Sequence, residues 1–286
     1  MNSLSIATLL AGLTLVAPLA HADDPELLRG EDALFGVVTD AINQAGLANL
    51  LIYVGGGDGS AEAALRSGTQ AIAPMSRRFT TATINDLLNQ GVTPVENEIG
   101  LDGVTLFVQD ASALTQIDIP TIRAVYNCSI TRWEDVPGSG QTGEIVVYRL
   151  DDRSGTTDTL KTLVGITAFG PCATIVATTW DIAFRTATEP NAIGYAALSG
   201  HTDGNRALAL VSPFTGVPIL PVEATIRDFS YPLARRLFIS QATEARVPSD
   251  AEQQLLDAML DRSFLDPILL ANQFVTCPPV EDGGCP

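Results

Sequence analysis

LLIYVGGGDGSAEAALRSGTQAIAPMSRR, residues 50–78, decides the fold class. Leu50 to Val54 is a short apolar run with strand chemistry. It empties into Gly55-Gly56-Gly57-Asp58-Gly59-Ser60, and Ala61 to Arg66 then reads as the start of a helix. Gln70 to Pro74 supplies a second strand, Ser76-Arg77-Arg78 a second turn, and Thr83 to Asn89 a second helix. Strand, turn and helix in repeated order point to an α/β sheet with crossover helices. Just upstream, Leu34 to Ala45 has apolar residues at helical spacing, bracketed by Asp32 and Gly46.

The same grammar continues downstream. Val104 to Val108 reads as a strand, Ile119 to Asn127 as a helix, and Glu144 to Leu150 as another strand. That strand runs into Asp151-Asp152-Arg153-Ser154-Gly155-Thr156, and Thr157 to Val164 follows as a helix. Asn191 to Leu198 and Ala207 to Val211 read as strands. Tyr231 to Ile239 reads as a helix, as does Ala251 to Phe274 with a break near Pro267. No long linker, charge block or short repeat divides the chain, so two lobes joined by extended strands fit better than separate beads.

Composition bounds the function. With 286 residues, 46% hydrophobic, the chain can bury a substantial core, which excludes disorder. The formal charge of −17 would repel a phosphate backbone, so no nucleic-acid partner is expected. Met1 to Ala22 carry no charged residue, Leu9 to Leu19 are nearly all apolar, and Ala20-His21-Ala22 offers a signal-peptidase site. We therefore expect export, to the periplasm or beyond, with cleavage after Ala22. His201 is then the one histidine of the mature chain, leaving little scope for imidazole metal sites, and no metal or cofactor is expected. Cys128, Cys172, Cys277 and Cys285 are even in number and lack CxxC spacing, so disulfides are expected, Cys128–Cys172 and Cys277–Cys285 being the favoured pairs.

Ligands of α/β sheets settle where strands feed helix N-termini. Ser154-Gly155-Thr156 puts two hydroxyls and a glycine at such a turn, where free N–H groups and the helix dipole favour an anion. Ser76-Arg77 offers a hydroxyl and a guanidinium at a comparable turn, and the Gly55–Ser60 loop allows close backbone approach. Arg149 or Arg153 could supply the fork that matches a tetrahedral oxyanion. The plain alternatives are helix caps, solvated charges and a flexible connection. Neither GxxxxGK[ST] nor GxSxG is present. His201 lies in a polar turn-like segment away from any nucleophile pattern, so an enzyme is not expected.

The ordered set is more specific than its parts. Tyr53–Gly59 and Gly68–Arg77, then Ile130-Thr131-Arg132-Trp133-Glu134-Asp135, Ser154-Gly155-Thr156 and Ala192-Ile193-Gly194-Tyr195, resemble the phosphate-binding subunits of bacterial phosphate ABC transporters, of the type 2 periplasmic-binding-protein superfamily. The resemblance covers roughly Arg29 to Ile239. It implies two α/β lobes, each with a central sheet, joined by hinge strands, with lobe I at 23–104 plus 223–286 and lobe II at 105–222. It also implies an anion site in the cleft, an inner-membrane ABC permease as partner, and a monomer.

By this resemblance Ser154, Gly155, Thr156, Ser76, Arg77, Asp58, Gly59 and Ala33 fall at ligand positions, with Arg149 or Arg153 as the arginine. The departures are specific. The family's arginine position holds Leu150, its glycine-loop serine is Asp58, and its Gly-Ser-x-Thr-like segment reads Gly30-Glu31-Asp32-Ala33. A carboxylate beside a bound phosphate costs several kcal/mol at about 4 Å for an effective dielectric near 20. Three functions follow as expectations: uptake of phosphate or a related oxyanion; the same fold with a cationic or hydroxylated ligand; or an envelope interaction protein that has lost solute binding.

Overall fold

The computed structural model describes residues 24–278. The expected leader and Cys285, hence the Cys277–Cys285 pairing, lie outside the described residues.

In chain order the elements are β1 Glu26–Arg29, α1 Phe35–Gln44, β2 Leu51–Val54, α2 Asp58–Ser67, β3 Ile72–Met75, α3 Thr81–Asn89 and β4 Val95–Gly103. Next come β5 Thr105–Gln109, β6 Gln116–Asp118, α4 Ile119–Tyr126, β7 Val146–Arg149, α5 Gly155–Val164, β8 Ala173–Ile175, α6 Thr179–Thr188 and β9 Ala192–Ala196. The chain continues with β10 Asn205–Ala207, β11 Ala209–Val211, β12 Pro218–Ile219, α7 Glu223–Arg227, β13 Ala234–Gln241, α8 Asp250–Leu260 and α9 Arg262–Ala271.

One lobe centres on the sheet β3-β13-β4, flanked by the parallel pair β1-β2. Gln70 ties that pair in, its side chain accepting from Arg29 N and donating to Arg29 O, both at 2.9 Å. Helices cover both faces of β13. Leu237 and Ile239 pack into a core with α1, α8 and α9, while Phe238 packs on the other side with Leu65 of α2 and Leu87 of α3. The second lobe is the mixed sheet β10-β5-β9-β7-β8, with Phe107, Tyr126, Trp133 and Tyr195 buried in its core. Chain crosses between the lobes where β4 runs through Gly103-Val104 into β5, and Val104 N donates to Leu233 O at 3.0 Å just before β13.

Two expectations are corrected. Tyr231–Ile239 is not a helix; Ala234–Gln241 is the central strand of its sheet, antiparallel to both β3 and β4. A strand covered on both faces loses its alternation and reads as a continuous apolar run, which periodicity cannot distinguish from a buried helix. The break expected near Pro267 comes instead at Asp261, where the backbone turns extended and the carboxylate accepts from Ser263 N at 2.9 Å, capping α9. Pro267 sits inside that helix. The strand expected over Ala207–Val211 is two, divided at Leu208 because β10 pairs with β5 and β11 with β6 and β12.

Cys128 and Cys172 are joined as expected, bridging α4 and the start of β8 across 44 positions. A loop of that length confers about 4 kcal/mol by restricting the unfolded chain. Replacing both cysteines with serine should lower the urea unfolding free energy by about 2–4 kcal/mol.

Candidate functional site

The site is built where β1, β2 and β3 end and two helices begin. Gly30 and Glu31 follow β1, and Glu31 is held by its backbone: its N–H donates to Pro74 O at 3.1 Å and its carbonyl accepts from Tyr53 Oη at 2.8 Å. Glu31 is extended and precedes a 3₁₀ turn at Asp32–Leu34, so its side chain leaves the strand end toward the facing lobe.

There it meets the N-terminus of α5. Ser154 caps that helix, its hydroxyl accepting from Thr156 N at 3.2 Å. The Glu31 carboxylate takes Gly155 N at 2.9 Å and Asp58 N at 3.0 Å on Oε2. On Oε1 it takes Ser154 Oγ at 2.8 Å, Thr156 N at 3.3 Å and Thr156 Oγ1 at 3.1 Å. Asp58 is the first residue of α2, so a single carboxylate satisfies orphan N–H groups at two helix ends, where the dipoles also favour negative charge. Glu31 is wholly buried. The donors that the sequence assigned to an external anion are holding an internal one.

Asp58 is buried beside it. Its carboxyl accepts from Ser76 N at 3.1 and 3.3 Å and from Ser76 Oγ at 3.3 Å. Burial, and then the neighbouring Glu31 carboxylate, push its pKa well above the usual carboxylate range, with Arg77, Ser76 N–H and Arg235 opposing. Gly155 must be glycine here, because a Cβ would run into Asp58 Oδ2 and Ser76 Oγ.

The arginine of the site comes from β13. Buried Arg235 donates from NH1 to Ser76 Oγ and from NH2 to Thr156 Oγ1, both at 2.9 Å, and from Nε to Asp102 Oδ2 at 2.8 Å. Asp102, at the end of β4, also accepts from Leu198 N of the other lobe at 3.0 Å. Arg235 therefore ties Ser76, Thr156 and the hinge strand together. Sequence reading missed it because the segment read as a helix; the only signal was a charged pair, Arg235-Arg236, beside the apolar run Leu237-Phe238-Ile239.

The other expected residues divide. Ser154, Gly155, Thr156, Ser76 and Asp58 converge on the Glu31 carboxylate and its neighbour. Gly59 contributes backbone, its N–H donating to Arg153 O at 3.1 Å across the lobes. Arg77 flanks the site, donating to Glu62 Oε1 and Asp158 Oδ2, each at 2.8 Å. Arg149 lies elsewhere, stacked 4.6 Å over the Phe169 ring and paired with Asp152. The Arg153 side chain is exposed and pairs with Asp151. Ala33 is buried in the lobe core. Glu31 itself was legible only as an acidic departure; that it would enter the donor cluster was not.

A family model described as the PBP superfamily domain matches residues 30–262. Among solved structures, a substrate-binding protein from Clostridium perfringens, described as of phosphate ABC transporter type and solved with phosphate bound, is 19% identical with a TM-score of 0.76, covering 88% of this chain and 99% of its own. An ABC-type phosphate transport receptor from Vibrio cholerae is 18% identical with a TM-score of 0.65, covering 87% and 99%. At these identities the likeness is one of fold: two lobes of the type 2 binding-protein kind. No curated protein sequence matches.

Two outcomes are expected of the buried carboxyls. Because the folded state raises the Asp58 pKa, it binds more protons than the unfolded chain, and stability falls as pH rises above about 4. Asp58→Asn removes that penalty, so its melting temperature relative to wild type should climb between pH 4 and pH 8; a constant offset would refute the assignment. Gly155→Ala should lower the unfolding free energy by about 1–3 kcal/mol, read from urea titration, by forcing α5 off Asp58.

Proposed function

This chain belongs to the PBP superfamily, and we propose that within it the protein is an exported, periplasmic envelope component whose anion site is filled by its own Glu31. On this reading it works through contacts that its closed form makes with a partner protein, and it does not carry phosphate to a permease. The division into lobe I (23–104 plus 223–286) and lobe II (105–222) is part of the proposal, and no catalytic step is.

The observation that carries it is the Glu31 carboxylate, with five donors from both lobes directed at it. An oxyanion could enter only by displacing that side chain from its donors, and it would then face Asp58. The Cys128–Cys172 bridge supports an oxidising compartment. Further contacts join the lobes directly, among them Arg77 to Asp158 and Gly59 N to Arg153 O.

A second reading is favoured by the donor set itself. Ser154, Gly155 and Thr156 keep the geometry of an anion site, and the similar structure from Clostridium perfringens holds phosphate. With Glu31 swung outward in an open form, the same donors would bind phosphate for delivery to an ABC permease.

Calorimetric titration of phosphate into wild type and Glu31→Ser, each refolded to remove retained solutes, separates the two. We expect no heat from wild type and saturable binding by Glu31→Ser, whose shortened side chain leaves the donors open. Binding by wild type would overturn the first reading in favour of the second. Binding by neither protein would show that the donor cluster holds no free anion.

A further inference from the structure

Glu31 and Asp32 are consecutive acids with different surroundings. Asp32 turns away from the donor cluster. Its Oδ1 accepts from Gly56 N at 3.0 Å, and its Oδ2 accepts no hydrogen bond among the described residues. It lines a separate cavity of about 590 Å³ that both lobes enclose. Asp32, Phe35 and the Asn272–Phe274 segment form one wall; Thr178–Trp180 at the start of α6 and Ser199–Thr202 after β9 form the other. Gln273 spans the gap, its amide donating to His201 O at 3.4 Å.

The chemistry of this cavity differs from that of the anion site. Two rings stand open to it, Trp180 at 68% exposure and Phe35 at 52%. The exposed end of α6 is already neutralised, since Asp181 Oδ2 accepts from Thr178 N and Oγ1 at 2.9 and 2.8 Å. Among the described residues the lining contains no lysine or arginine. Thr179 adds a buried hydroxyl with no partner among the described residues. Burial drives the Asp32 pKa up to about 6, with Glu31 and Asp151 adding to the rise and Gly56 N–H and Arg153 opposing it. Burial is the leading cause, and no ion pair reaches the Asp32 carboxylate among the described residues. The volume is within the ordinary range for small-molecule sites, and the chain's −17 charge would draw cations toward it.

We propose that the cavity bounded by Asp32, Phe35, Trp180 and His201 binds an organic ammonium solute, its charged nitrogen on the Asp32 carboxylate and its apolar body against the two rings. A cation over an indole face is stabilised by the ring quadrupole, and most strongly where water is excluded. Such a solute touches both lobes and fixes the closed form. The proposal is independent of the role given to Glu31, because no atom of the Ser154–Thr156 cluster lines this cavity.

The test uses full-length mature protein, phenethylamine as probe, and 2-phenylethanol and phenylacetate as its neutral and anionic counterparts. Binding is followed by calorimetry and by Trp180 fluorescence, with cooperative melts confirming that each variant folds. We expect saturable binding of phenethylamine, at least about tenfold weaker binding of the alcohol, and no binding of the acid. Asp32→Asn should weaken the amine about tenfold while leaving the alcohol unchanged, and Trp180→Ala, at an exposed position, should weaken both. No saturable amine binding by wild type, equal binding of amine and alcohol, or amine binding indifferent to Asp32→Asn would each overturn the proposal. Phosphate titration of Glu31→Ser is read separately, so either idea can fail alone.

Discussion

Everything near the interlobe contact depends on a single buried carboxylate. Burying an isolated ion is prohibitive, and Glu31 is tolerated because each of its oxygens is fully engaged. Hydrogen bonds to a charged group contribute roughly 1.5–3 kcal/mol each. The dependence is mutual. Without the carboxylate, the N–H groups at the starts of α2 and α5 would face one another in a dry space, and the two helix dipoles would present like ends. Closure of this molecule and the placing of the Glu31 side chain among these donors are therefore aspects of the same balance. Arg235 and Asp102 complete it from the hinge, so the charges are arranged as a connected set and not as separate pairs.

A tethered ligand competes on favourable terms. Its effective concentration is on the order of millimolar or above, because the Glu31 backbone is pinned by Pro74 O and Tyr53 Oη before the side chain reaches across. A free oxyanion must overcome that concentration and the rearrangement of the displaced acid. It must also stand beside the buried Asp58 carboxyl, whose pKa burial and then the Glu31 carboxylate already push upward. The two acidic substitutions are thus coupled. Glu31 supplies the charge that the donors need, and burial, with that charge beside it, raises the Asp58 pKa and so favours its neutral form.

Much of this architecture was legible in the sequence. The strand–turn–helix order, the Ser154-Gly155-Thr156 turn and the Ser76 turn depend on local signals, and local signals survive in a single chain. β13 was not legible, because a strand buried on both faces carries no alternation, and with it went Arg235. Sequence proximity to Ser154 favoured Arg149 and Arg153; the fold supplied Arg235, 79 positions beyond Thr156. Glu31 stood out as a misfit at its family position. Whether a misfit is excluded from a site or takes it over depends on where one side chain points, and composition and spacing do not encode that.

The same local geometry explains why two adjacent acids serve different surroundings. Glu31 is extended at the end of a strand, and neighbouring side chains of an extended segment point to opposite sides. The 3₁₀ turn that begins at Asp32 then fixes the second carboxyl against Gly56 N. One acid is thereby committed to the helix ends of α2 and α5, where its charge is fully compensated. The other is left at a cavity wall with half of its hydrogen-bonding capacity open. A two-lobed fold whose donor cluster is occupied by its own Glu31 side chain still keeps a cleft, because two lobes that meet at one point diverge elsewhere. Where they diverge here, the walls are aromatic and acidic, and the physics of that surface favours a positive guest over a negative one.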